Sequence, residues 1–192
     1  MRLYTFVIAA VCALSLGCGS GTGPSGATGT MRMMLKDSPF VDASSVLVTF
    51  SEVDVYKGGT ADGVPTKLPF PAGTTRTCDL TRLQAVQDVL GTGPLATGHY
   101  TQIRLIVTAA VLYFGAAPTT GDACGASITP PTGGRSANVT IPSGEVKLNR
   151  EFDITADTTT TMSIDFDGDK SVHETSNGTY TMSPVISVVS VQ

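Results

Sequence analysis

Segments in which apolar and polar residues alternate constrain the fold of this chain more than any other feature. Three of them place apolar residues two positions apart, at Val46, Val48 and Phe50, at Ile103, Leu105 and Val107, and at Met162, Ile164 and Phe166. Because successive side chains of a β-strand point to opposite faces, each segment predicts a strand with one buried face. Such segments recur about every 8 to 12 residues between turn residues, a spacing typical of an all-β sandwich. We therefore predict an immunoglobulin- or transthyretin-like antiparallel β-sandwich.

The segment 44–57 contains a change of phase. Its apolar positions run through Phe50 and then resume at Val53 and Val55, an odd number of residues later. One extra residue within a strand restores the buried face after such a shift. The sequence therefore predicts a β-bulge just after Phe50.

One stretch has a helical pattern instead. In CDLTRLQAVQDVLG the apolar residues recur at steps of three or four, at Leu80, Leu83, Val86 and Leu90. Asp79 can cap the start of a helix and Gly91 can end it. This pattern predicts a single short helix at about residues 80–90 of the sandwich.

The first residues have the pattern of a secretory signal peptide. Arg2 precedes an apolar run over residues 3–16, and about 14 residues are too few to span a bilayer, which needs about 20. The residues LSLGC at 14–18 resemble a bacterial lipobox. That resemblance implies removal of residues 1–17 and a thioether-linked diacylglycerol on Cys18. Ordinary signal cleavage near this point, giving a free secreted protein, is the alternative.

The residues after Cys18 predict a tether followed by one domain. Residues 19–30, GSGTGPSGATGT, contain no large apolar side chain, so we assign 18–30 to a flexible tether and 31–192 to a single β-sandwich domain. Gly19 follows Cys18, where an aspartate would favour retention in the inner membrane of enteric bacteria. We therefore expect a membrane-anchored lipoprotein of the cell envelope, at the outer membrane or the cell surface.

The cysteines fit an exported protein. Cys12 leaves with the signal peptide and Cys18 carries the lipid, which leaves Cys78 and Cys124 in the mature chain. Exported proteins fold where disulfides persist, so these two cysteines are a candidate pair. The sequence leaves open whether they meet.

Composition and motifs argue against nucleic-acid binding and catalysis. The net charge is −4 and no run of lysine or arginine is present, whereas a nucleic-acid partner needs a basic surface. The sequence lacks the G-x-S-x-G and S-x-x-K patterns of serine enzymes, and its only histidines, His99 and His173, lie far apart along the chain. We predict a protein that is not an enzyme and needs no cofactor.

An acidic stretch near the C-terminus offers one alternative. Asp165, Asp167 and Asp169 alternate with apolar residues in SIDFDGD and could supply oxygen ligands to a calcium ion. An EF-hand does not fit, because Lys170 stands where its glycine is required. The other interpretation is the polar outer face of a strand, with Arg104 or Lys170 as the cationic partner.

Several segments in order along the chain resemble one bacterial lipoprotein family, catalogued as domain of unknown function 4382. They are LKDSPF with VLVTFSEVDVYK, CDLTRLQ with PLATGHYTQIRLIV, and IPSGEVKL with MSIDFD and SNGTYTMSPVI. The resemblance implies a sandwich of the carbohydrate-binding or transthyretin-like kind on an envelope lipoprotein. It implies no catalytic residue and no ligand.

These observations predict a lipid-anchored envelope protein that binds or scaffolds without catalysis. Its partners would be the membrane, through Cys18, and an envelope protein or a glycan. A protein-interaction module predicts an apolar patch near residues 115–137. A carbohydrate-binding module predicts a groove lined by Tyr56 or Tyr113, and a calcium-stabilised adhesion domain predicts acidic residues 165–169 without basic partners.

Overall fold

Two β-sheets packed face to face form the fold in a computed structural model of the chain. The structure describes residues 26–38, 43–59, 63–176 and 178–192. The predicted signal peptide, the predicted lipid site Cys18 and most of the predicted tether lie outside the described residues. One sheet has four strands and the other has nine.

The described residues form thirteen strands and two single-turn helices. In chain order they are β1 Thr28–Ser38, β2 Ser45–Lys57, β3 Thr66–Lys67, β4 Arg76–Asp79, α1 Leu80–Leu83, β5 Asp88–Ala96, β6 Gly98–Phe114, β7 Cys124–Gly125, β8 Arg135–Thr140, β9 Glu145–Ile154, β10 Thr159–Asp167, α2 Gly168–Ser171, β11 Val172–Ser176, β12 Thr179–Met182 and β13 Ile186–Val191. The predicted all-β sandwich is confirmed. Because β1 already begins at Thr28, the last three residues assigned to the tether belong to the first strand.

The four-stranded sheet has the order β13-β10-β1-β5. Its central pair, β1 and β10, is parallel, with Arg32 opposite Thr161 and Lys36 opposite Asp165. β8 and β12 in the other sheet are also parallel, so these two pairs differ from the antiparallel pairing that we predicted. Parallel neighbours need a long crossover between them, and the chain from β2 to β9 forms that crossover between β1 and β10.

The nine-stranded sheet is organised around the 17-residue strand β6. β2 pairs with β6 along one edge, while β9 and then β8 pair with successive parts of the other edge. The remaining strands extend the sheet outwards, in the order β11-β12-β8-β6-β2-β4-β7 with β3 beside β2. The length of β6 therefore lets two short strands share one neighbour.

The core lies between the two sheets and is built by the alternating residues. The inward residues of β10, namely Met162, Ile164 and Phe166, are fully buried. The Phe166 ring meets Phe50 of the opposite sheet edge-on, with 6.4 Å between ring centroids. Edge-to-face contact is a favoured geometry for aromatic pairs, so this contact joins the two sheets.

The predicted bulge in β2 is confirmed. Phe50 pairs with Val107 and Glu52 pairs with the next residue, Ile106, so Ser51 is the extra residue. The bulge returns Val53 and Val55 to the buried face.

The predicted helix at residues 80–90 is wrong beyond its first turn. Asp79 does cap α1, since its Oδ1 accepts from the Thr81 amide at 3.1 Å. The helix ends at Leu83, however, and Leu90 is buried as part of strand β5. Val86, which would lie on the apolar stripe of the predicted helix, is 52% exposed. The residues after the first turn instead form β5, which pairs with the central strand β1.

Candidate functional site

The acidic stretch lies where strand β10 ends, at one end of the sandwich. Two of its carboxylates have basic partners. Asp165 Oδ2 lies 3.5 Å from Lys36 Nζ of the neighbouring strand and accepts from Ser38 Oγ at 3.0 Å. Asp167 Oδ2 lies 2.6 Å from Lys170 Nζ. Lys170 is one of the two partners predicted for this stretch, whereas Arg104 lies in the other sheet and contacts Glu145.

Asp167 has a local structural role. Its Oδ1 accepts from the Lys170 amide at 3.0 Å and so caps α2. The hydrogen bonds from the Lys170 side chain and amide lower the pKa of Asp167. A capping carboxylate is stabilised at a helix start by the free amides there.

The structure does not bring the three predicted calcium ligands together in one group. Within the described residues, no three histidine, cysteine, aspartate or glutamate side chains come together in a group that could hold a metal ion. Asp165 and Asp167 are bound to lysines from β1 and α2, and Asp169 is exposed in the first turn of α2. The structure therefore gives the calcium interpretation no support.

Asp37 is a fourth carboxyl group at this end of the sandwich, and the sequence interpretation missed it. It is only 6% exposed and is the last inward-facing residue of β1, after Met33 and Leu35. Its Oδ1 accepts from the Gly168 amide at 3.2 Å, while Oδ2 has no hydrogen-bond partner among the residues that the structure describes. The alternation of β1 was the signal that could have revealed it.

Burial raises the pKa of Asp37 to about 8. The hydrogen bond from Gly168 and the nearby side chain of Gln84 oppose this rise, and the charges of Asp165 and Asp167 add to it. Desolvation disfavours the charged form of a carboxyl group. Asp37 therefore keeps its proton at neutral pH and sits where solvent scarcely reaches.

The candidate cysteine pair is joined in the structure. Cys78 and Cys124 form a disulfide between β4 and β7, and both residues are buried. The bridge ties the long segment between β6 and β8 to the edge of the nine-stranded sheet. Beside it, Asp88 Oδ2 accepts from the Cys124 amide at 2.8 Å, and Asp88 Oδ1 lies 3.2 Å from Arg76 Nη2.

Removing this disulfide by Cys78→Ala together with Cys124→Ala is expected to lower the free energy of unfolding by about 2–4 kcal/mol, because the unfolded chain loses a constraint across a long loop. Urea denaturation of the oxidised wild type and the double variant would measure the difference. Dithiothreitol should lower the stability of the wild type and leave the variant unchanged. A wild type that is indifferent to dithiothreitol would contradict the prediction.

The same segment is also held by a buried carboxylate, Asp79. Its Oδ2 accepts from Ser45 Oγ at 2.8 Å and from Thr119 Oγ1 at 2.6 Å. Its Oδ1 accepts from the Thr81 amide and hydroxyl and from the Val46 amide. One side chain thus connects β2, α1 and the long segment. The sequence identified only its capping role.

The histidines and the tyrosines do not build a site. His99 Nδ1 lies 3.0 Å from Asp153 Oδ1 at an exposed position, and His173 is exposed on β11. The Arg104 guanidinium lies 4.3 Å from the centre of the Tyr56 ring and so occupies one face of that ring. Tyr113 is half-buried on β6.

Among the residues that the structure describes, no helix is both long enough and apolar enough to cross a membrane.

Comparison with known proteins gives one result. Neither the search of curated proteins nor the search of solved structures found a match. The family model described as "Domain of unknown function (DUF4382)" matches residues 28–184, which runs from the first residue of β1 to just before β13. That match covers most of the chain and both sheets, so the protein belongs to the DUF4382 family.

Proposed function

We propose that the chain is an exported, lipid-anchored protein of the cell envelope whose β-sandwich binds or scaffolds without catalysis. The observation that carries this proposal is the N-terminal sequence. An apolar, signal-like run ends at LSLGC, in which Cys18 is the residue to which the lipid would be attached. The anchored domain would stand at the outer membrane or at the cell surface.

Two features of the fold support export and anchoring. The buried disulfide between Cys78 and Cys124 is of a kind that persists in oxidising compartments. Strand β1 begins at Thr28, so residues 19–27 would separate the lipid from the domain. A tether of that length, as the sequence predicts, would span about 15–18 Å and would hold the sandwich close to the membrane surface.

The buried polar groups support a role other than catalysis. Asp79 uses both carboxylate oxygens in hydrogen bonds that connect parts of the fold, and so does Asp88. A catalytic acid or base must instead reach a substrate with a free hydrogen-bonding position. Asp37 has such a position, but its side chain is buried near the end of β1.

The anchoring proposal is tested by Cys18→Ser in the full chain produced in a bacterial host with a lipoprotein pathway. Metabolic labelling with palmitate and membrane fractionation would give the readout. We expect the wild type to be labelled and membrane-bound, and Cys18→Ser to lose both properties, since a cysteine thiol is needed for the thioether.

Cys12→Ser is the matched control, because Cys12 lies within the segment that is removed. This variant should be labelled and fractionate like the wild type. A Cys18→Ser protein that still carries palmitate would overturn the proposal.

A further inference from the structure

The outward face of the four-stranded sheet carries a row of hydroxyl groups around one arginine. The inward residues of β1, such as Met31 and Met33, are fully buried, and Arg32 between them is exposed. Arg32 lies opposite Thr161 of β10 on one side and Thr92 of β5 on the other. Because neighbouring residues of paired strands share a face, the two hydroxyls flank the arginine side chain.

Two depressions meet at Arg32. One has a volume of about 460 Å³ and reaches across Thr30, Thr159 and Thr92 to Arg76. The other has a volume of about 430 Å³ and is lined on its far side by Ser163, Ser190 and Gln192. Each exceeds the volume of one sugar ring, so together they offer a shallow groove that crosses the strands.

The charge of this groove is positive although the protein is negative overall. Arg32 has no hydrogen bond or ion pair with any of the described residues. The carboxylate of Asp88 accepts hydrogen bonds from Arg76 and also from the amides of Val89 and Cys124. Arg76 Nε is buried without a partner within the described part of the chain. Asp165, farther along β10, is bound to Lys36, and Asp157 lines the adjoining depression beyond Thr30 and Thr159.

This geometry points to a site for an acidic glycan, with Arg32 binding a sugar carboxylate. A guanidinium group pairs with a carboxylate through two parallel hydrogen bonds. The surrounding threonine, serine and glutamine side chains both donate and accept, as sugar hydroxyls require. Half-buried Met34 and Val89 supply an apolar floor for the ring. The inference names a ligand class for the binding role proposed above.

The test is a titration of the full chain, purified in a neutral detergent, with trigalacturonate at low salt. We expect saturable binding that Arg32→Gln weakens about tenfold or more, because the charge-assisted pair is lost. The affinity of Arg32→Lys should lie between those of the wild type and Arg32→Gln. Lysine keeps the positive charge but cannot form the two parallel hydrogen bonds. Neutral maltotriose should bind at least about tenfold more weakly than trigalacturonate.

Arg150→Gln is the matched control, because Arg150 is an exposed arginine of β9, in the other sheet, that has no partner among the described residues. It should leave trigalacturonate binding unchanged. An equal loss with Arg150→Gln would show non-specific attraction and overturn the proposal. Arg32-dependent binding of glycerol 3-phosphate without binding of trigalacturonate would also overturn it, in favour of a lipid headgroup. Palmitate labelling at Cys18 is independent of either outcome, so failure here is distinguishable from failure of the anchor.

Discussion

Replacing Asp79 by alanine is expected to lower the free energy of unfolding by about 3–5 kcal/mol, because it leaves several buried donors without an acceptor. The Ser45 and Thr119 hydroxyls both donate to Asp79 Oδ2, and the Val46 and Thr81 amides donate to Oδ1. Asp79 is almost fully buried, so these donors lie away from bulk solvent. Urea denaturation at neutral pH would measure the change.

Asp153→Ala is the control for this prediction. Asp153 is also a hydrogen-bonded aspartate, but its side chain is 74% exposed beside His99. Its removal should change stability by no more than about 0.5 kcal/mol. Thr119→Val should cost about 1 kcal/mol and should be non-additive with Asp79→Ala, as expected for groups in direct contact. A loss below about 1 kcal/mol for Asp79→Ala would contradict its role as the connection between β2 and the long segment.

The strands were predictable because alternation and burial express the same geometry. Val46, Val48 and Phe50 alternate in the sequence and are fully buried in β2. The bulge after Phe50 was predictable for the same reason, since only an extra residue can return Val53 to the core. Local pattern is sufficient where one face of a strand is buried.

The helix was overpredicted because a step of three or four residues does not exclude a strand. Leu80 and Leu83 are buried by α1, but Leu90 is buried by β5, after the chain has turned. Which of the two structures forms is decided by the pairing of β5 with β1. That partner is more than fifty positions away in the sequence, so a local pattern cannot identify it.

The parallel pairing of β1 with β10 could not be predicted from a local pattern for the same reason. This pairing decides which side chains lie together at the candidate sites. It brings Lys36 to Asp165, which removes the unpaired acidic face that a calcium site would need. It also sets Arg32 among the hydroxyls of β10. Sequence spacing identified the carboxylates and Lys170, the local partner of Asp167, but the partners of Asp165 come from a strand about 130 positions earlier.

Asp37→Asn is expected to stabilise the protein at alkaline pH. The folded state holds the proton of Asp37 up to a pKa of about 8, against 3.8 for an unperturbed aspartate. The unfolded chain therefore binds fewer protons between these values, and stability falls as the pH rises through this window. Asparagine has the same shape and keeps an oxygen for the Gly168 amide, but it has no charge to bury. Between pH 5 and pH 8 the wild type should lose about 2–4 kcal/mol more than the variant.

The measurement is a pair of urea denaturation series across this pH range, compared as a difference between the two proteins. Asp54, whose pKa is also raised by burial, is present in both and cancels. Asp169→Asn is the matched control, because it removes an exposed aspartate at the same end of the sandwich. Its free energy of unfolding should depend on pH as that of the wild type does. Parallel pH curves for wild type and Asp37→Asn would mean that Asp37 ionises normally in the folded protein, and the assignment of a buried neutral carboxyl at the end of β1 would be wrong.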